Sequence, residues 1–127
     1  MRYNIRGDIM AEKKHSAFAL LEILATYTDE DHILTAKQIM ELMETVKRSF
    51  FIEADAEITM ECNPGTVTEG KLFAMKVAGI NRLSIGLQSA QDHELRTLGR
   101  IHRNADFLSC YELARKVGFQ NINVDLI

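Results

Sequence analysis

Hydrophobic residues along this chain recur with two different periods. Over residues 11–48 they fall at helical spacing, with Ala17, Leu20, Leu21 and Leu24 forming one apolar stripe and Ile39, Leu42, Met43 and Val46 a second. Between the stripes, Thr28-Asp29-Glu30-Asp31-His32 is too acidic to bury and reads as a turn. Thr35 stands where a helix N-cap belongs and Gln38 follows it at capping-box spacing. The spacing predicts an N-terminal pair of helices, the second over 35–48. No Gly- or Pro-rich linker separates the pair from the remainder of the chain.

From Ala56 onward the pattern becomes strand, turn and helix in repetition. Alternating segments predict strands over 57–62, 82–87 and 122–127. Helical patterns over 68–78, 92–98 and 104–117 fill the gaps and end at Gly79, Gly99 and Gly118, each suited to a left-handed C-terminal cap. Strands joined through long helical connections pair in parallel with right-handed crossovers.

Successive side chains of a strand face opposite ways, so each segment divides into two faces. One carries Ile58 and Met60, then Leu83, Ile85 and Leu87, then Ile122, Val124 and Leu126. The other carries Thr59 and Glu61, then Ser84, Gly86 and Gln88, then Asn123 and Asp125. A parallel sheet covered by helices on both sides is apolar on both faces, which this one is not. The predicted fold class is therefore α/β: a partial (β/α) barrel with three parallel strands, preceded by the N-terminal helical pair. Helices cover the outer face, and the polar inner face lines a ligand cavity. Glu61, Gln88 and Asp125 lie at or just past the C-terminal ends of their strands, the end that carries the site in α/β barrels.

Composition adds little to that picture, with 46% hydrophobic and 26% charged residues among 127, values ordinary for a globular domain. A formal net charge of -3 gives no electrostatic reason to expect nucleic acid or anionic lipid as partner. The apolar runs are too short to span a bilayer and the first residues lack the regions of a signal peptide, so a cytoplasmic location is expected. The two cysteines, Cys62 and Cys110, form no local metal-binding spacing and are expected to be reduced thiols. His93 and His102 read as surface residues without chemistry.

Four words carry a resemblance: Glu61-Cys62-Asn63-Pro64-Gly65-Thr66; Asn81-Arg82-Leu83-Ser84-Ile85-Gly86-Leu87-Gln88-Ser89; Leu98-Gly99-Arg100-Ile101-His102; and Asn121-Ile122-Asn123-Val124-Asp125-Leu126-Ile127. In order and spacing they resemble the oxygen-independent coproporphyrinogen III oxidase-like family of radical adenosylmethionine enzymes, which includes a related haem chaperone. The likeness covers the chain from about Val46 to its last residue. It implies a cofactor pocket for S-adenosylmethionine with Glu61 against the cofactor and Gln88, Arg100 and Asp125 lining it. Those residue types suit the roles, since carboxylates accept from hydroxyl or ammonium groups, Gln both donates and accepts, and Arg pairs with a carboxylate. Pro64 and Gly65 would turn the chain after the first strand, and Gly86 would leave room for a ligand beside the wall. The intact family's substrates would be porphyrinogen, or haem in the chaperones.

The chain departs from the family in one respect that governs its chemistry. The family's 4Fe-4S cluster is held by three cysteines in a Cys-x-x-x-Cys-x-x-Cys word on the first barrel strand, and nothing of that kind is present. The glycine-rich word after the second strand is missing as well. The expectation is a fragment of a radical adenosylmethionine oxidoreductase-like protein, without independent catalysis, whose open strand edges offer surfaces for self-association. Residues 1–45 are similar to the opening of a winged-helix transcriptional regulator, so a truncated helix-turn-helix regulator or interaction module is the alternative. The expected domains are a helical segment over 1–45 and the partial barrel over 46–127. Fusion, truncation and assembly artefact all remain open as the origin of that arrangement.

Overall fold

A computed structural model of the chain describes residues 34–127. The first of the two predicted N-terminal helices, the acidic turn after it and most of the winged-helix-like stretch lie outside the described residues. The chain divides into two compact units, Met1–Ala56 and Glu57–Ile127.

In the first unit, helix α1 (Ala36–Ser49) follows the predicted second stripe. Thr35 caps it, its side chain accepting from the Gln38 amide at 3.3 Å while the Gln38 side chain accepts from the Thr35 amide at 2.8 Å. Two backbone donors that a helix start leaves without partners are thereby satisfied. Ile39, Leu42 and Met43 are buried, Val46 half-buried, and Lys47 and Arg48 occupy the last turn, where cations complement the helix dipole.

The second unit runs β1 (Thr59–Cys62), α2 (Glu69–Ala78), β2 (Arg82–Gln88), α3 (Asp92–Thr97), α4 (Asn104–Val117) and β3 (Asn121–Leu126). The strands form one parallel sheet in the order β1-β2-β3, so the most apolar strand is central and both crossovers carry helices. Strand β1 is shorter than predicted because Ile58 leaves the ladder: its amide donates to Asn81 Oδ1 at 2.8 Å, and its carbonyl accepts from the amides of Asn81 and Arg82. Glu57, expected inside the strand, instead gathers the N-terminal ends of the sheet. It pairs with Arg82 at 3.4 Å and accepts from Asn121 Nδ2 at 3.2 Å.

The core lies on the helix-covered face. Leu83 and Ile85 of β2 are fully buried with Leu72, Met75 and Ala78 of α2, and with Phe107, Cys110 and Ala114 of α4. Ile80 and Phe119, one residue past the caps Gly79 and Gly118, fill the gaps where each helix returns to the sheet. Both caps adopt the left-handed conformation that glycine tolerates, with φ of 100° and 105°. Helix α4 is tethered at its start, where the Asp106 side chain accepts from the Arg103 amide and Asp92 accepts from the Asn104 amide at 2.9 Å.

Candidate functional site

The opposite face of the sheet carries the polar side chains in register. Glu61, Ser84 and Asn123 stand in one row across the three strands, and Gly86 and Asp125 in the next row toward the C-terminal ends. Although this face is polar, Ser84 is only 8% exposed because neighbours on both adjacent strands flank it. Its hydroxyl donates to Asp125 Oδ2 at 2.6 Å. Asn123 Nδ2 donates to Ser84 Oγ at 3.2 Å and to Asp125 Oδ1 at 2.6 Å. Both carboxylate oxygens are thus held by side chains from two strands.

Above this network the end of β2 is unusual. Gln88 has φ of 66°, and the Ser89 amide donates to the Leu87 carbonyl at 2.8 Å across it, which makes a γ-turn with a side-chain-bearing residue in the left-handed region. Such a conformation costs on the order of 1–3 kcal/mol and persists only where surrounding structure enforces it. Here the Gln88 carbonyl accepts from the Ile127 amide at 3.0 Å, and the pairing of β2 with β3 shifts register between Gly86 and Gln88. The turn folds the Gln88 amide back over Gly86. A Cβ at position 86 would lie 2.8 Å from Gln88 Nε2 and 3.6 Å from Asn63 Oδ1, so the Gln88 amide occupies space that only glycine leaves open, with the Asn63 side chain nearby. Gly86→Ala is therefore expected to fold, since the far end of a flexible side chain can move, but to expel the Gln88 amide. Comparing amide spectra with the parent would show the change confined to residues 63 and 86–89.

Asn63 reaches that position through the turn after β1. Pro64 is buried, Gly65 has φ of 83°, and the Thr66 amide donates to the Asn63 carbonyl at 3.2 Å, the features of a type II turn. Glu61 is exposed near the end of β1, in register with Ser84 on the neighbouring strand. Arg100 stands off the sheet between α3 and α4, half-buried, and its side chain makes no hydrogen bond or ion pair among the described residues. The expected set therefore divides: Asp125, Gln88 and Glu61 share one face and end of the sheet, while Arg100 lies in the loop between α3 and α4.

One expectation from sequence requires correction. His102 is not a surface residue: it is 6% exposed, with Nε2 lying 3.3 Å from the Leu87 carbonyl, the same carbonyl that closes the Gln88 turn. Its neighbours Ile101 and Arg103 are exposed, so no periodic signal in this loop marks the histidine as buried. His93 is exposed as expected. Ser84 and Asn123 were legible as members of the polar face, and their shared parity with Asp125 is the signal that ties them to the site.

The thiols lie on the other side. Cys62 and Cys110 are free and buried. Burial pushes the Cys62 thiol up to about 12, with the neighbouring Cys110 and Glu61 adding to the rise and Lys71 opposing it; burial likewise raises Cys110. A thiol that stays protonated in the folded chain while the unfolded chain ionises lowers stability as pH climbs from about 9 to about 12. Iodoacetamide at pH 8 is expected to leave both thiols unmodified until urea unfolds the chain, as mass spectrometry would show. Two buried thiols on the helix side do not fit a cluster that needs three thiolate ligands. No group of three or more potential metal ligands occurs among the described residues. No helix among them is long and apolar enough to cross a membrane.

A family model described as the Radical SAM superfamily matches residues 13–127, a span that begins well before Val46. The heme chaperone HemW of Bacillus subtilis is 38% identical over 95 residues, covering 74% of this chain and 25% of that protein. The oxygen-independent coproporphyrinogen III oxidase of Bradyrhizobium diazoefficiens is 34% identical over 95 residues, covering 75% of this chain and 21% of that protein. Among solved structures, coproporphyrinogen III oxidase (HemN) from Escherichia coli, a radical SAM enzyme, superposes with a TM-score of 0.66 at 32% identity, covering 73% of this chain and 21% of that one. The chain belongs to the radical SAM superfamily, in the group formed by the haem chaperones and the oxygen-independent coproporphyrinogen III oxidases. It spans about a quarter of the length of the curated relatives it matches, and its three parallel strands with their helices correspond to part of the barrel of that structure.

Proposed function

We propose that residues 57–127 form a wall of an adenosylmethionine pocket, with Glu61, Gln88, Arg100 and Asp125 contacting the cofactor. The observation that carries this reading is the Asp125 carboxylate, fixed by Ser84 and Asn123 at the C-terminal end of the sheet beside the strained Gln88 turn. Strained backbone and preoriented charge at the same strand ends are features of ligand sites. Glu61 and Asp125 offer acceptors to hydroxyl or ammonium groups, Gln88 offers a donor amide, and Arg100 is suited to the cofactor's carboxylate.

Adenosylmethionine, when reductively cleaved, supplies the radical chemistry of the intact family; this chain's own residues supply binding and orientation. The two cysteines cannot hold the 4Fe-4S cluster, so any cluster belonging with this pocket has its ligands elsewhere. The substrate of the whole system is a porphyrinogen or haem, by analogy with the named relatives, and its location is the cytoplasm. The outer edges of β1 and β3, unpaired among the described residues, are the surfaces through which the chain self-associates.

Calorimetric titration of the full 127-residue chain with adenosylmethionine tests the pocket. Saturable heat at a 1:1 ratio is the expected result. Absence of heat in a sample whose circular dichroism shows folded α/β structure would contradict it.

A further inference from the structure

The hydrogen-bonding inventory around Asp125 is closed on the donor side. Ser84 has a single hydroxyl proton, and it goes to Asp125 Oδ2 at 2.6 Å. Asn123 has two amide protons, and these go to Ser84 Oγ at 3.2 Å and Asp125 Oδ1 at 2.6 Å. A flipped Asn123 amide would set its oxygen against a carboxylate oxygen, so the observed orientation is the only one without a repulsive contact. All three donor protons of the two supporting residues are consumed within the network. A carboxylate has about four acceptor sites, of which two are filled here. The cluster therefore presents only acceptors outward: the remaining lone pairs of Asp125, with the amide oxygen of Asn123. Glu61, in the same row as Ser84, adds another carboxylate.

We propose that Ser84 and Asn123 are positioning residues that lock Asp125 into an acceptor-only contact, so the ligand group received at this point is a hydrogen-bond donor, hydroxyl or ammonium, and never an anion. The proposal rests on the adenosylmethionine reading of the site and assigns a role to two residues outside the set expected to touch the cofactor. Its physical basis is twofold. A carboxylate fixed by neighbours loses less conformational freedom on binding, and an acceptor-only surface leaves an anionic group unpaired and repelled.

The test uses the full chain with Ser84→Ala, Ser84→Thr and Asn123→Ala, titrated with adenosylmethionine and with methylthioadenosine, which keeps the ribose hydroxyls but lacks the ammonium. Ser84→Ala and Asn123→Ala are expected to weaken adenosylmethionine binding about fivefold, the scale of one hydrogen bond of about 1 kcal/mol, while Ser84→Thr, which keeps the hydroxyl, retains parental affinity. If methylthioadenosine loses the same factor, the donor is a hydroxyl; if only adenosylmethionine loses affinity, it is the ammonium. Either result supports the proposal. A readout independent of ligand is the side-chain amide of Asn123, whose two protons should exchange slowly with solvent in the parent and faster in Ser84→Ala. Parental binding left unchanged by both alanine variants overturns the proposal while sparing the pocket. Fast exchange of the Asn123 amide in the parent overturns it as well. No binding by the parent overturns the pocket reading and the proposal together.

Discussion

Truncation of Leu83 to alanine is expected to lower the stability of the Glu57–Ile127 unit by about 3 kcal/mol, the middle of the range for removing a buried leucine side chain. Leu83 is fully buried in the central strand, pairs with Met60 on one side and Ile122 on the other, and points to the helix-covered face. Ile85 and Leu72 on that face are themselves fully buried, so the space it leaves is refilled only in part. In a domain this small, 1 kcal/mol corresponds to roughly 4–8 °C in Tm, so the variant should melt more than about 10 °C below the parent. Val124, on the same face of strand β3 but 37% exposed, supplies the control. Its truncation should cost less than about 1 kcal/mol, because a partly exposed side chain leaves little cavity behind. Thermal unfolding followed by circular dichroism distinguishes the two, and equal effects would mean that the core does not centre on β2.

The second large effect concerns Asp125→Asn. The substitution keeps size and shape but exchanges one acceptor oxygen for a donor and removes the charge. The supporting contacts can survive, because Ser84 can accept as well as donate. The fold should therefore be retained, with Tm within a few degrees of the parent, while affinity for adenosylmethionine falls roughly 10- to 100-fold, the range for hydrogen bonds to charged groups. Gln88→Gly should separate differently. Glycine tolerates the left-handed φ of 66°, so the variant should be at least as stable as the parent yet bind more weakly, the pattern of a residue kept for its side chain at the expense of backbone strain.

The fold was largely legible because local signals agreed with one another. Gly79 and Gly118 marked helix ends that proved to be left-handed caps, and Thr35 with Gln38 marked a capping box that formed. Strand parity alone separates Leu83 and Ile85 from Ser84 and Gly86, since period two leaves no other arrangement. What the sequence could not carry was geometry between strands. The Ser84 to Asp125 contact joins residues 41 apart in the chain and depends on the register of β2 against β3. The Gln88 turn arises from a register shift that no residue type announces. His102 is buried because the α3–α4 connection folds it against the Leu87 carbonyl, a long-range event invisible in a loop whose flanking residues are exposed. Arg100 came from family likeness alone, and its placement off the sheet shows why parity had no bearing on it.

The most direct test of the cofactor wall is amide mapping of the isotopically labelled full chain during titration with adenosylmethionine. The account predicts shifts clustered on residues 61–63, 84–89, 100 and 123–125. Shifts confined to the helix-covered side, on residues such as Met75 and Ala114, or spread over α1 alone, would contradict it.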